Sequence, residues 1–278
     1  MKIAELLAEG AGLLPQRAGL PEPRRETRWL LARALGTNEA WVLAHGEDTV
    51  SDASALVFRS WLERRRGGEP AHYIAGTCPF WGRIFTVTPA VLIPRPESEL
   101  LVECALRLER PARPSVLDVG TGSGCLAVTL ALEIPGAEVV AADVSLAAVE
   151  VARGNARRLG AHARFATVDL ATAWRGPFDL VVANLPYVPD DDLHDLPLEI
   201  RAFEPHLALL GGADGADMLR RLVADLPRVL AKDGHALLEL GPQQRAVLQP
   251  HLTQLGLVEM TVGLDQAGIE RVLVLRRG

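Results

Sequence analysis

The sequence of 278 residues has few cysteines and no long hydrophobic run. Its three cysteines, Cys78, Cys104 and Cys125, are odd in number, far apart and never spaced as C-x-x-C, which argues against a disulfide framework and a zinc site. We interpret them as small buried side chains. Residues 1–10 carry two glutamates within their apolar stretch, so neither a signal peptide nor a membrane span is predicted. The expected location is cytoplasmic, with no membrane partner.

An excess of positive charge is also lacking. Lys and Arg number 29 against 35 Asp and Glu, which gives a net charge of -6 and a sequence pI near 5.7. This balance argues against binding a polyanion through bulk charge, and no direct contact with nucleic acid is expected. Hydrophobic residues make up 49% and charged residues 23%, a composition that excludes a disordered chain. At roughly 150 residues per domain, the length fits one large domain or a large and a small one.

The first 70 residues show helical patterning only. Apolar residues recur along them at helical spacing, and one helix is expected to begin at Ser51 or Asp52 and to end at Gly67. The ten basic and ten acidic residues of this part cancel. We therefore predict a small helical domain over residues 1–70, and a neutral module of this kind is better suited to meeting a protein than an RNA.

Residues 71–96 are predicted to form a β-hairpin linker. The pair at 73–74 and the four-residue run at 84–87 flank a turn sequence at 79–82 that contains both proline and glycine. The remaining residues, 97–278, are assigned to the second and larger domain.

From residue 115 onward, short apolar runs alternate with helical stretches. This alternation predicts βαβ units and a parallel sheet covered on both faces. The last two runs are separated by a short glycine-containing loop and predict an antiparallel pair at the sheet edge. The fold class is therefore α/β, with a mostly parallel sheet that follows the small helical domain and the hairpin linker. The predicted strands comprise residues 116–119, 139–142, 166–168, 180–182, 236–240, 257–262 and 271–275.

The turn after the first of these strands is rich in glycine. Glycines at a helix N-terminus let the backbone turn tightly and approach a ligand closely. Asp143 ends the second strand, where a carboxylate can accept hydrogen bonds from two ribose hydroxyls. The combination favours an adenosyl cofactor, while a nicotinamide nucleotide and a tight crossover without ligand stay open. The predicted binding loop comprises Asp118, Gly120, Thr121, Gly122, Ser123 and Gly124.

The fourth strand ends in an N-x-P-Y sequence. The chain has only three Asn and two Tyr, so this sequence arises by chance in roughly one such chain in seven hundred. Ligands of open α/β sheets bind at the carboxyl ends of the strands, which places this motif beside the glycine loop. Ordinary turn chemistry with a packed tyrosine is the alternative. The motif comprises Asn184, Leu185, Pro186 and Tyr187.

The motif is suited to a planar nitrogen, whose delocalised lone pair makes it a poor nucleophile. If the Asn184 side-chain oxygen and the Leu185 carbonyl each accept one N–H, the NH₂ group is fixed and its developing positive charge is stabilised. Tyr187 would stack on the flat group. A methyl donor already activated as a sulfonium needs positioning more than acid catalysis, so no dedicated base is required.

Two further stretches carry polar residues at strand ends or in loops. Asp169 follows the third strand and is expected near an adenine, with Leu170 offering apolar contact, although both also fit a plain loop. The acids and the histidine of residues 190–195 lie bunched in one loop without a known ligand spacing. We interpret that loop as a solvated surface and predict no metal site.

Together these residues resemble the class I S-adenosylmethionine-dependent methyltransferases. More narrowly, the chain is similar to the protein-(glutamine-N5) methyltransferases that modify peptide chain release factors, and the resemblance spans nearly the whole sequence. Besides the glycine loop and Asp143, it is carried by YIxG at 73–76, LIPRPESE at 92–99, FEP at 203–205, GGxDG at 211–215 and ELGxQ at 239–243.

The resemblance implies a Rossmann-like fold, with S-adenosyl-L-methionine as cofactor and S-adenosyl-L-homocysteine as product. The cofactor would be held by the glycine loop, Asp143, the residue near Leu170 and Asn184, and the N-x-P-Y segment would hold the glutamine of a Gly-Gly-Gln loop. The helical domain would help to dock the release factor, and the enzyme is expected to be a monomer. The family usually has proline where this chain has Leu185, which keeps the carbonyl but adds an N–H and loosens the turn.

Three alternatives remain at this level. N-L-P-Y is also the form found in ribosomal RNA adenine-N6 dimethyltransferases, but about 115 residues precede the glycine loop here and the net charge is acidic. A glutamine methyltransferase of a ribosomal protein would share the same chemistry. An inactive cofactor-binding partner subunit is disfavoured because both Asn184 and Tyr187 are intact.

Overall fold

The computed structural model describes residues 1–16 and 22–278. These residues divide into two compact units, one of Met1–Thr77 with Pro197–Phe203 and the other of Cys78–Leu196 with Glu204–Gly278. Within the described part of the chain, every helix is too short or too polar to span a lipid bilayer.

The smaller unit is helical, as the patterning of the first 70 residues predicts. Its longest helix begins after Ser51, whose side-chain oxygen accepts a hydrogen bond from the Ser54 backbone N–H at 3.1 Å, and it ends at Gly67. Apolar side chains from several helices, including Leu30, Phe58 and Leu62, form its core. The helices are α1 (Ile3–Leu13), α2 (Pro23–Ala34), α3 (Glu39–Ala44), α4 (Asp52–Arg66) and α5 (Ala71–Ala75).

A buried arginine connects separate segments of this unit. The Arg65 side chain is 3% exposed, and its Nε donates to Glu26 at 2.6 Å while Nη1 donates to the Glu69 carbonyl at 3.0 Å. Nη1 also pairs with the Glu199 carboxylate at 2.8 Å, on the short helix Leu198–Phe203. Residues distant in the chain are thereby joined through one guanidinium.

Replacing Arg65 by methionine is expected to lower the free energy of unfolding by about 1–2 kcal/mol. The apolar stem is kept but the charged hydrogen bonds are lost, and water can partly replace them at Glu26 and Glu199, which are 10% and 21% exposed. Urea unfolding measures the change. The control is Arg66→Met, since Arg66 pairs with Glu63 at the surface and should change stability by less than about 0.5 kcal/mol. Equal effects of the two variants would contradict the assigned role of Arg65.

The hairpin begins later than the sequence pattern predicts. Its strands are β1 (Thr77–Phe80) and β2 (Arg83–Thr86). Residues 73–74, expected in the first strand, instead lie in α5 and are buried there. The reason is Gly76, whose φ of 69° lets it end the helix in the left-handed conformation immediately before β1. The predicted hairpin is confirmed, and the predicted start of its first strand is wrong.

The larger unit is built on a mostly parallel sheet. Within the described residues, seven strands pair in the order β5-β4-β3-β6-β7-β9-β8, with β9 antiparallel to both of its neighbours. This confirms the parallel sheet and the antiparallel pair at its edge. The short helix α9 (Leu198–Phe203) belongs to the helical unit. The elements of the larger unit from residue 99 onward are α6 (Glu99–Arg107), β3 (Ser115–Val119), α7 (Cys125–Glu133), β4 (Glu138–Asp143), α8 (Leu146–Leu159), β5 (Ala163–Thr167), β6 (Phe178–Ala183), α10 (Asp217–Val229), β7 (Leu230–Glu239), α11 (Gln244–Leu252), β8 (Leu257–Leu264) and β9 (Glu270–Arg277).

The strand order determines where a ligand can bind. The chain moves from β3 outward to β4 and β5, and then returns to pair β6 with the other side of β3. The two halves of the sheet therefore diverge between β3 and β6, and a crevice opens at the carboxyl ends of these strands. Both the glycine loop and the N-x-P-Y segment follow directly from them.

A buried asparagine fastens the hairpin and the glycine loop to α8. The Asn155 Oδ1 accepts from the Thr86 backbone N–H at 2.8 Å, and its Nδ2 donates to the Thr86 and Ser123 carbonyls, both at 2.9 Å. One amide thus satisfies three backbone groups in two other segments. The hydrogen bond from Asn155 to Ser123 thereby holds the glycine loop against α8.

Replacing Asn155 by alanine is expected to lower the free energy of unfolding by about 2 kcal/mol, because three backbone groups lose a buried partner. Thermal and urea unfolding at constant pH measure the change. Arg157→Ala, at an exposed position of the same helix, is the control and should change stability by less than about 0.5 kcal/mol. A loss at Asn155 no larger than in this control would refute the fastening role.

Candidate active site

A cleft that is partly open to solvent lies at the carboxyl ends of the central strands. Ten of the predicted site residues line it: Gly120, Thr121, Gly122, Ser123, Asp143, Asp169, Leu170, Asn184, Leu185 and Pro186. The other three predicted residues, Asp118, Gly124 and Tyr187, lie outside this lining.

The glycine loop has a backbone that side chains would obstruct. Gly120 has a φ of 75°, and a Cβ there would lie 2.9 Å from Cδ2 of Leu185. Gly124 has a φ of 81°, and a Cβ there would lie 2.9 Å from that of Ala152 on α8. A Cβ at Gly122 would meet no heavy atom of the described residues within 4 Å, which leaves this part of the loop open for a ligand. The loop leads into α7, whose N-terminus adds backbone donors.

Asp118 supports the loop from below. Its side chain is fully buried, and Oδ2 accepts from the Thr121 hydroxyl at 2.7 Å and from the Ala127 backbone N–H at 3.1 Å. Burial raises the pKa of this carboxyl to about 7, although both hydrogen bonds act in the opposite direction. The contacts of Asp118 therefore shape the loop, and its direct contact with a cofactor remains a prediction.

Asp143 is held in place by the backbone around it. Its Oδ2 accepts from the Gly122 N–H and its Oδ1 from the Ser145 N–H, both at 2.9 Å. Each oxygen keeps a further lone pair, so the carboxylate can accept two hydroxyl hydrogens from a ligand in the cleft. The open loop at Gly122 and this oriented acid fit the ribose of an adenosyl group.

The wall beyond Asp143 is largely apolar. Leu170 is buried in a left-handed backbone conformation with φ of 48° and lines the cleft together with Val144. Asp169 also lines the cleft, and its carboxylate pairs with Arg221 at 2.6 Å. An apolar wall next to polar backbone suits a flat heterocycle.

Asn184 lies at the end of β6 and its amide is anchored. The Asn184 Nδ2 donates to the Ser98 hydroxyl at 2.8 Å, and the Ser98 hydroxyl donates to Oε2 of Glu239 at 2.6 Å. Leu185, next in the chain, buries its side chain in the core and against Gly120. The leucine that stands in place of the family proline thus forms part of the packing beneath the cleft.

Tyr187 packs beside the cleft. Its ring lies against Gly241, where a Cβ would come within 2.9 Å of the ring carbon Cδ2. Its backbone carbonyl lies against Gly215, so two glycines of the GGxDG and ELGxQ sequences make room for this residue. Burial raises the pKa of its hydroxyl. Stacking of Tyr187 on a substrate remains a prediction.

The cysteines differ in their surroundings. Cys78 is buried, and burial raises the pKa of its thiol to about 12, as expected for an inert small side chain. Cys104 and Cys125 are half-buried, so the interpretation of all three as buried is wrong for these two. The reason for Cys125 is its place as the first residue of α7, where it lines the cleft.

Sequence reasoning missed Ser98 and Glu239 as site residues. Ser98 lies 86 residues before Asn184 in the sequence, and Glu239 lies 141 residues after Ser98, so no local spacing links them. A signal for Glu239 was present, since an acid at the end of a central strand is the same pattern that identified Asp143. Burial raises the pKa of Glu239 to about 7, although hydrogen bonding by Ser98 lowers it.

Known families match this chain along most of its length. The model described as PrmC N-terminal domain matches residues 5–76, and the one described as Methyltransferase small domain matches residues 96–197. A release factor glutamine methyltransferase of Bordetella pertussis is 44% identical over 90% of this chain and 93% of its own length. One of Deinococcus radiodurans is 40% identical over 100% of this chain and 99% of its own.

Solved structures agree on the fold of the larger part. A methyltransferase from Pyrococcus furiosus is similar with a TM-score of 0.56 and 18% identity, over 72% of this chain and 91% of that one. The 16S rRNA N2 G1207 methyltransferase of Thermus thermophilus, in complex with AdoMet and guanosine, has a TM-score of 0.50 at 21% identity, over 73% of this chain and 50% of that one.

The sheet, the cleft and these similarities define an S-adenosylmethionine-dependent methyltransferase. The open glycine loop and the oriented carboxylate of Asp143 fit that cofactor. More narrowly, the chain belongs to the release factor glutamine methyltransferase family.

Proposed function

We propose that this enzyme transfers a methyl group from S-adenosylmethionine to the side-chain amide nitrogen, N5, of the glutamine in the Gly-Gly-Gln loop of peptide chain release factors. The observation that carries the proposal is the anchored amide of Asn184. Because its NH₂ group donates to Ser98, its Oδ1 is the atom available to accept an N–H from a substrate in the cleft. The curated relatives with 40–44% identity are release factor glutamine methyltransferases by name.

The cofactor would be held by the glycine loop, by Asp143 and by the apolar wall at Leu170. When bound, it supplies an electrophilic methyl group on a sulfonium. Asp143 would accept the two ribose hydroxyls, because both of its oxygens are already oriented by backbone N–H groups. Gly122 would let the backbone approach the ligand without obstruction, and Gly120 would leave room for the Leu185 side chain.

The substrate amide would be held by two oxygens. Asn184 Oδ1 and the Leu185 carbonyl each accept one N–H, which fixes the plane of the amide and the direction of its nitrogen lone pair. As the nitrogen becomes positive, the same two dipoles stabilise the charge. A methylated amide nitrogen is strongly acidic and loses its proton to water, so these residues position the group without removing its proton.

The helical unit is proposed to dock the release factor, with residues 1–70 as the predicted domain. Its acids and bases cancel, which suits a protein partner. We further propose that the enzyme acts as a monomer in the cytoplasm and makes no direct contact with nucleic acid. The curated relatives, which are release factor glutamine methyltransferases by name, favour this substrate over a ribosomal RNA adenine or a ribosomal protein glutamine.

The direct test is a labelled methyl transfer assay in which a purified release factor, a ribosomal protein mixture and ribosomal RNA are offered side by side. Label is expected in the release factor, and a release factor with its Gly-Gly-Gln glutamine changed to alanine is the control that should stay unlabelled. Label in RNA, or equal label in the control protein, would refute the proposed substrate.

A further inference from the structure

A chain of three side chains ends at the amide of Asn184. Glu239 and Ser98 are 3% and 2% exposed, and they lie at the end of β7 and immediately before α6. The hydroxyl of Ser98 lies between the Glu239 carboxylate, at 2.6 Å, and Nδ2 of Asn184, at 2.8 Å. All three belong to the larger unit, and Ser98 and Asn184 line the cleft.

The hydrogens available on Glu239, Ser98 and Asn184 determine the direction of the two hydrogen bonds between them. An ionised carboxylate can only accept hydrogen bonds, and a serine hydroxyl has a single hydrogen to give. The hydrogen of Ser98 therefore goes to Glu239, and the lone pair of Ser98 must receive an N–H from Asn184. The carboxamide is thereby locked in one of its two orientations, with Oδ1 turned away from Ser98.

We propose that Ser98 and Glu239 are positioning residues, which set the orientation of the Asn184 carboxamide so that its oxygen faces the substrate nitrogen. This inference rests on the proposed function and adds residues to its site. Without these hydrogen bonds, the Asn184 carboxamide can flip, which exchanges the positions of Oδ1 and Nδ2. Its NH₂ group would then face the NH₂ group of the substrate amide. Two donors then face each other and the substrate amide is not held.

The protonation of Glu239 controls the lock. Burial raises the pKa of Glu239 to about 7. The charges of Arg271, Glu97 and Arg95 also influence this pKa, and the charge of Glu239 in turn influences the pKa of Tyr187. Below that pH the carboxyl gains a hydrogen, which it can donate to Ser98. Ser98 is then free to donate to Oδ1 of Asn184, and the amide can turn.

Ionisation of Glu239 fixes the Asn184 carboxamide but lowers the stability of the folded protein. Because folding raises its pKa from 4.5, the folded state binds the proton more tightly, and stability is lost as pH rises from about 4.5 to about 7. Ionising a buried carboxylate costs stability. Such a cost is typical of groups whose charge is needed for function. Glu239→Gln should therefore raise the thermal midpoint more at pH 8.5 than at pH 5.

The first measurement does not depend on the substrate. The side-chain NH₂ signals of Asn184 are followed by ¹⁵N NMR from pH 5.5 to 9, a task simplified by the presence of only three asparagines in the chain. In the wild type they should shift with an apparent pKa near 7, and in Glu239→Gln and Ser98→Ala this step should be absent. Persistence of the step in Ser98→Ala would overturn the proposal.

The second measurement is kinetic and uses the full chain with the release factor. Ser98→Ala should lower kcat/KM by roughly 10- to 100-fold while leaving the dissociation constant of S-adenosylmethionine, measured by calorimetry, unchanged. Ser98→Thr, which keeps the hydroxyl, should restore most of the activity. The wild-type rate should fall below pH 7, and Glu239→Gln should lose that dependence.

The two measurements separate the outcomes. If the wild type fails to methylate the release factor, the proposed function fails, while the NMR titration still decides the hydrogen-bond chain. If the wild type is active, Ser98→Ala with wild-type kcat/KM, or with a proportional loss of cofactor binding, would overturn the positioning role. An unchanged pH profile in Glu239→Gln would do the same.

Discussion

Replacing Asn184 by alanine should lower kcat by about 10²- to 10³-fold, or about 2.7–4 kcal/mol in the transition state. The substitution removes one of the two oxygens that hold the substrate amide and leaves the other unable to fix its plane alone. Since the positive charge on nitrogen develops during transfer, the loss falls on kcat more than on ground-state binding. Single-turnover transfer at saturating cofactor and release factor measures it.

The control for this variant is Asn38→Ala in the helical unit. Asn38 caps α3 by accepting from the Trp41 backbone N–H at 2.8 Å, so its loss is expected to cost about 1 kcal/mol of stability and to leave kcat unchanged. Calorimetry should show that Asn184→Ala still binds S-adenosylmethionine. Wild-type kcat in Asn184→Ala would mean that another group holds the substrate.

Replacing Asp143 by asparagine is expected to raise the dissociation constant of S-adenosylmethionine about 100-fold. Hydrogen bonds to a charged acceptor contribute about 1.5–3 kcal/mol each, and the variant lacks the charge. Its new NH₂ group must also face either the Gly122 or the Ser145 backbone N–H, both of which now donate to the carboxylate. One of these donors is left without its partner, which disturbs the glycine loop as well.

Isothermal titration calorimetry with S-adenosylmethionine measures this effect. The matched control is Glu150→Gln, which neutralises an exposed carboxylate on α8 in the same unit. It should leave cofactor affinity unchanged. If the two variants bind S-adenosylmethionine equally well, the ribose is not held by Asp143.

Much of this arrangement could be predicted from local sequence. The glycine loop, Asp143 and the N-x-P-Y segment each follow directly from a strand, and parallel strands bring their carboxyl ends to one edge. Ten predicted residues consequently line one cleft. A residue's position directly after a parallel strand thus predicts the edge of the sheet on which it lies.

The contacts between distant residues could not be predicted in this way. Ser98 and Asn155 act through hydrogen bonds to residues 86 and 69 positions away, and their side chains are too common for their spacing to be informative. Tyr187 follows the right strand, yet its place against Gly241 depends on packing between segments far apart in the chain. Local preference also failed at residues 73–74, where the helix ended by Gly76 prevailed over β-propensity.

Asn184 Oδ1 and the Leu185 carbonyl are proposed to hold the two hydrogens of a glutamine amide. A crystal structure of the enzyme with S-adenosyl-L-homocysteine and a peptide containing Gly-Gly-Gln tests this proposal most directly. Both oxygens are predicted within hydrogen-bonding distance of the glutamine nitrogen, with the Asn184 NH₂ group still on Ser98. A glutamine amide bound in the cleft away from these two oxygens would contradict the account.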